Sequence, residues 1–159
     1  MSTDKIKTQD ELRGIVEKEK ASGKKVGFTN GCFDVLHLGH VQYLEEAKKD
    51  CDLLVIGLNS DKSVRSIKEA GRPINDEKAR SEVLAALECI DYLTLFEEDT
   101  PENLIRTLTP NILFKGGDWK EEDIVGAEHV KSNGGKVQVI PYVEGYSTTE
   151  MIERIKGNG

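Results

Sequence analysis

The chain has 159 residues, 37% of them hydrophobic and 32% charged, enough to bury one core without disulfide or metal support. Its formal net charge of −7 excludes the broad positive field needed for nonspecific nucleic-acid or anionic-membrane binding, although local basic groups can still hold a small anion. Residues 1–5 lack a signal-peptide apolar region, no apolar run is long enough to span a bilayer, and three scattered cysteines (Cys32, Cys51, Cys89) suit buried free thiols in a reducing cytoplasm.

In chain order, Thr8-Gln9-Asp10-Glu11 reads as a capping box opening a charged helix to about Lys20, closed by Gly23. Residues 25–30 form a strand candidate, and residues 39–49 a helix with apolar Val41, Leu44 and Ala47. Residues 52–59 are continuously apolar, the signature of a strand buried on both faces. The polar stretch 60–75 reads as a mobile lid loop. A helix over 76–88 follows, with Ala79, Val83, Leu84 and Leu87 on its apolar side, then a strand over 92–96. Thr100 reads as an N-cap and Pro101 as the first residue of a helix ending at Leu108. Strands over 112–115 and 137–140 flank a helix over 122–133 that Gly134-Gly135 stops. A helix over 147–156 closes the chain.

This alternation predicts an α/β fold: a single-domain, Rossmann-like, open parallel five-stranded sheet with helices on both faces. Residues 1–24 are expected to pack as a helical segment on a domain spanning 25–159. Ligands of such sheets bind beyond the carboxyl ends of the strands, where the strand order reverses, so the residues just after each strand are the informative ones.

After the first strand stands the run Thr29-Asn30-Gly31-Cys32-Phe33-Asp34-Val35-Leu36-His37-Leu38-Gly39-His40. His37 and His40 are spaced to share one face of a helix at its beginning. Gly39 permits close approach to the backbone. The helix start offers free N–H groups and partial positive charge to a phosphate. On spacing alone, a helix cap plus a core histidine, or a pair of metal ligands, fits as well, although His129 is too remote to complete a metal set.

The segment from Gly31 to His40 resembles the GxFDxxHxGH signature of the HxGH nucleotidyltransferases, which include glycerol-3-phosphate cytidylyltransferases and phosphopantetheine adenylyltransferases. Phe114-Lys115-Gly116-Gly117-Asp118-Trp119, Glu144-Gly145-Tyr146-Ser147-Thr148-Thr149, Asn59-Ser60-Asp61 and Arg72-Pro73-Ile74-Asn75 are similar to one branch, the adenylyltransferases of ADP-heptose synthesis. The resemblance covers nearly the whole chain. It implies direct attack of D-glycero-β-D-manno-heptose 1-phosphate on the α-phosphorus of ATP, giving ADP-heptose and pyrophosphate for lipopolysaccharide core synthesis. It further implies Mg²⁺ carried with the nucleotide rather than a resident metal, small-molecule partners, and a cytoplasmic homodimer.

The same resemblance assigns residues. His37 and His40 bind the triphosphate and the reacting centre, and Arg80, matching an arginine of related cytidylyltransferases, joins them as a catalytic candidate. Asn30, Gly31, Cys32, Phe33 and Gly39 contact the nucleotide, as do Lys115, Gly116, Gly117 and Asp118 in a tight turn and Ser147, Thr148 and Thr149 at a second helix start. Asp34, Asn59, Asp61, Lys68 and Arg72 are placed with the acceptor, Asp34 also as a group that positions His37 or the loop. Cys32 is read as a small apolar residue rather than a nucleophile, since no covalent intermediate is needed. Trp119 is read as rim or core packing and His129 as surface.

Two departures stand out. Ile152 takes the position of an arginine common in the superfamily, with Arg154 two residues on. Tyr142 and Gly117 differ from glycerol-3-phosphate cytidylyltransferases, against that activity. An FMN adenylyltransferase and a non-catalytic nucleotide-binding regulatory module are the other readings. An oxidoreductase domain or a P-loop kinase is disfavoured by the lack of GxGxxG and GxxxxGK[ST].

Overall fold

The computed structural model describes residues 1–157; the last two residues of the expected 25–159 unit lie outside the described residues. Five strands form one parallel sheet: β1 (Val26–Gly31), β2 (Leu53–Asn59), β3 (Tyr92–Phe96), β4 (Ile112–Gly116) and β5 (Lys136–Ile140). Their order is β3-β2-β1-β4-β5. The chain steps outward from β1 to β3, then returns to the other side of β1 with β4. The strand order therefore reverses between β1 and β4, and the loops after them diverge to leave a crevice.

Among the described residues there are seven α-helices, of which α1 (Gln9–Ala21) precedes the first strand, α2 (Leu38–Lys49), α3 (Asp61–Ile67), α4 (Glu77–Ala85), α5 (Glu102–Leu108) and α6 (Ala127–Ser132) lie between strands, and α7 (Thr148–Ile155) follows the last. On β2, Leu53 and Val55 point to one core, while Leu54, Ile56 and Leu58 point to the other, as the two-residue period of a strand requires. The first core is covered by α1, α5 and α6 through Leu12, Ile105 and Val130. The second is covered by α2 and α4 through Leu44, Ala47 and Leu84.

The amino-terminal segment is tied into this frame. Thr8 caps α1, its side chain accepting from Glu11 N while the Glu11 carboxylate accepts from Thr8 N. Ile6 bridges Leu93 at the β3 edge, and Lys7 N donates to Leu93 O at 2.9 Å. Leu12 and Val16 are buried, each worth about 1.5–3 kcal/mol of apolar transfer.

Several expectations are corrected. Residues 60–75 are not one lid loop, because α3 occupies the first half, with Ser60 as N-cap accepting from Ser63 N at 3.1 Å. Only Ser63 and Val64 of α3 are buried, so the helix lacks the apolar periodicity that would reveal it. On α4 the inward side is Arg80, Ser81, Leu84 and Ala85, while Ala79 and Val83 face solvent. The expected helix over 122–133 breaks into a 3₁₀ turn (Glu121–Asp123) and α6, because Ile124 turns inward in an extended conformation. Pro101 is the N-cap of α5 rather than its first residue. The cysteines are half-buried rather than fully buried.

Candidate active site

A cavity of about 670 Å³ opens at the carboxyl ends of β1 and β4, within the size range of small-molecule sites. The starts of α2 and α7 both line it, so two sets of unpaired helix N–H groups converge on one space.

His37 is the N-cap of α2, and its backbone N–H donates to His40 Nδ1 at 3.3 Å. With Nδ1 accepting, a neutral His40 carries its proton on Nε2, where it is a donor. The two imidazoles stack with centroids 3.8 Å apart and planes at 27°. Burial, and then the neighbouring His37, push the His40 pKa down to about 4; burial also lowers that of His37. Gly39 makes the stack possible, since a Cβ there would lie 2.9 Å from His37 Cε1. His37 Nδ1 is buried without a hydrogen-bond partner among the described residues. Phe33, held at φ 46°, places its ring 5.2 Å from that of His40. Such a left-handed conformation in a bulky residue costs on the order of 1–3 kcal/mol and is held by the surrounding packing.

At the second helix start, Ser147 caps α7 by accepting from Glu150 N at 3.0 Å, and Thr148 Oγ1 donates to Val35 O at 3.4 Å. That bond ties α7 to the motif loop. After β4, Gly117 N donates to Ile140 O at 2.9 Å, and Gly117 itself sits at φ 104°, with Tyr142 packed across it.

Asp34 is buried, and its carboxylate is turned to other partners than the histidines. It accepts from Arg72 Nε at 2.7 Å and from the backbone N–H groups of Ile74 and Asn75 at 2.8–2.9 Å. Burial raises its pKa, but these hydrogen bonds outweigh it and hold the carboxyl below its ordinary value. Asp34 therefore latches the 72–75 segment to the motif.

Arg80 is 1% exposed and lies behind the cavity wall. It donates to Asn75 O, Cys32 O, Asn59 O and the Asp61 carboxylate at 2.7–2.9 Å. Those bonds use four of its five N–H donors, which makes it a positioning residue rather than a group facing the reaction. Asp61, Gly117 and Asp118 likewise fall outside the cavity lining, Asp118 being exposed. The remaining candidates, including Asn30, Gly31, Lys68, Lys115, Gly116 and Thr149, do line it. Cys32 lines it too, with its thiol pushed up by burial, which disfavours a thiolate nucleophile.

Tyr43 and Tyr146 line the cavity without having been candidates on sequence grounds. Tyr43 continues the three-residue spacing of His37 and His40, a signal present in the sequence, and its hydroxyl lies 2.7 Å from Thr29 Oγ1. His129 bonds Thr109 Oγ1 at 2.9 Å, away from the cavity. Among the described residues no group of three or more His, Cys, Asp and Glu side chains is arranged to hold a metal ion, and no helix is long and apolar enough to cross a membrane.

Residues 28–154 match the cytidylyltransferase-like family, and the chain belongs to it. It is thus a nucleotidyltransferase by fold and signature. The protein is 56% identical over 151 residues to the bifunctional protein HldE of Geobacter metallireducens, and 55% identical over 154 residues to that of Pelobacter propionicus. These alignments cover 95% and 97% of this chain but 31% and 32% of the relatives, so the chain spans about a third of their length. Among solved structures, a lipopolysaccharide core biosynthesis protein from Thermoplasma volcanium aligns with TM-score 0.62 and 29% identity, over 79% of this chain and 100% of that one. A pantoate-β-alanine ligase from Francisella tularensis has TM-score 0.61 at 14% identity, over 95% of this chain and 76% of that one, a likeness of fold alone.

Proposed function

We propose that the protein transfers the adenylyl group of ATP to D-glycero-β-D-manno-heptose 1-phosphate. The observation that carries this reading is the convergence of the His37–His40 helix start and the Ser147–Thr149 helix start on one cavity. A triphosphate bridges the two starts. An oxygen of the sugar phosphate attacks the α-phosphorus in line, the bond to the β-phosphate oxygen breaks, and pyrophosphate leaves. The acceptor is already anionic, so alignment and charge stabilisation do the work. His40 and His37 donate hydrogen bonds to oxygens that gain charge in the transition state.

Arg72 and Lys68, which also line the cavity, suit the acceptor phosphate. Mg²⁺ carried with the nucleotide would offset triphosphate charge. The similarity to HldE proteins over nearly the whole chain supports the heptose acceptor. A cytoplasmic homodimer belongs to the same reading and rests on family resemblance; sedimentation analysis tests the dimer. The reaction itself is tested by pyrophosphate release across ATP, CTP and GTP paired with heptose 1-phosphate, glycerol 3-phosphate and FMN. Turnover is expected with ATP and heptose 1-phosphate; turnover only with CTP and glycerol 3-phosphate contradicts the assignment.

A further inference from the structure

The cations around the cavity are unequally engaged. Arg72 is committed to Asp34 and Glu69. Lys68 and Lys115 also line the cavity, and neither has an ion-pair partner among the described residues. Arg154 lies exposed in the last turn of α7, outside the lining, and Ile152 carries no charge. The α7 side of the cavity therefore lacks an arginine for the leaving phosphates among the described residues.

Lys115 is half-buried, with Nζ 4.6 Å from the centroid of the Trp119 ring. The indole is fixed in turn, because Trp119 Nε1 donates to Gly116 O at 3.1 Å. A cation held on one side by an aromatic face keeps ammonium N–H donors on its other side. We propose that Lys115 binds a terminal phosphate of the triphosphate and of the pyrophosphate product, and that Trp119 is the positioning residue that holds its ammonium at the cavity wall. The inference rests on the nucleotidyl-transfer reading and deepens it. Burial and the Lys68 charge lower the Lys115 pKa, and the negative charge of an arriving phosphate opposes that shift.

Trp119 is the single tryptophan of the chain, so its emission reports on charge arriving beside Lys115. Inorganic pyrophosphate, ATP and heptose 1-phosphate are each titrated into the full chain, with fluorescence and calorimetry read together. Pyrophosphate and ATP are expected to change the emission. Lys115→Met abolishes that change and weakens pyrophosphate binding roughly ten- to a hundredfold, the range of a hydrogen bond to a charged group. Lys115→Arg retains most of the affinity. Trp119→Phe keeps a ring face but loses the bond to Gly116 O, so calorimetry should show a smaller loss of pyrophosphate affinity than in Trp119→Leu, which binds it about two- to fivefold more weakly than the unaltered chain.

Unaltered affinity in Lys115→Met overturns the proposal, unaltered affinity in Trp119→Leu overturns the positioning role of the ring, and an emission change with heptose 1-phosphate alone overturns the assignment to a nucleotide phosphate. In those cases ATP binding by the unaltered chain leaves the nucleotidyl-transfer reading standing. Failure of the unaltered chain to bind either ATP or pyrophosphate removes both.

Discussion

His40 donates from a ring that stacks on a second imidazole with centroids 3.8 Å apart, and burial together with that neighbour pushes its pKa down to about 4, so His40 is neutral at pH 7. His40→Ala should keep the fold, checked by circular dichroism, and lose roughly a hundredfold or more in kcat, as removal of one preorganised donor does elsewhere. The lowered His40 pKa also makes stability pH-dependent. The unfolded imidazole titrates near 6.5 and the folded one near 4, so the unfolded state binds more protons between them. This contribution is full above about pH 6.5 and is lost as pH falls through about 4; Tm should decline over that window, and the decline should shrink in His40→Ala. The histidine pair is legible in the sequence as a spacing. The stack is not, because it depends on side-chain torsions and on the missing Cβ of Gly39.

Between elements, the Asp34 latch joins the motif loop to the segment before α4. Asp34→Asn removes the charge opposite a buried Arg72, and the loss should be about 3–5 kcal/mol in urea denaturation. The strands are legible because their apolar runs are dense. The break before α6 is not, because it turns on Ile124 entering the core, a tertiary effect without local signal. The inward face of α4 departs from the apolar pattern for a related reason. Arg80 occupies a buried position, and Ala79 is displaced to the surface, since the arginine's donors are satisfied by carbonyls from three separate segments.

At the scale of the molecule, the sheet order brings together stretches as distant as Asn30 and Thr149. Alternating strands and helices predict a parallel sheet, and the family motif predicts which strand ends matter. Which candidates face the cavity is not legible, because Arg80, Asp61, Gly117 and Asp118 fall outside its lining although Asn59 and Gly116 close by in sequence belong to it. ATP at a hundred times its Kd should raise the unfolding free energy by about 2.7 kcal/mol, read as an upward shift in Tm. The most direct test follows label from [α-³²P]ATP into a sugar-nucleotide product with heptose 1-phosphate as acceptor. The label should appear in ADP-heptose with one pyrophosphate released per product, and His40→Ala should suppress it; undiminished transfer in that variant, or label that never reaches the sugar, contradicts the account.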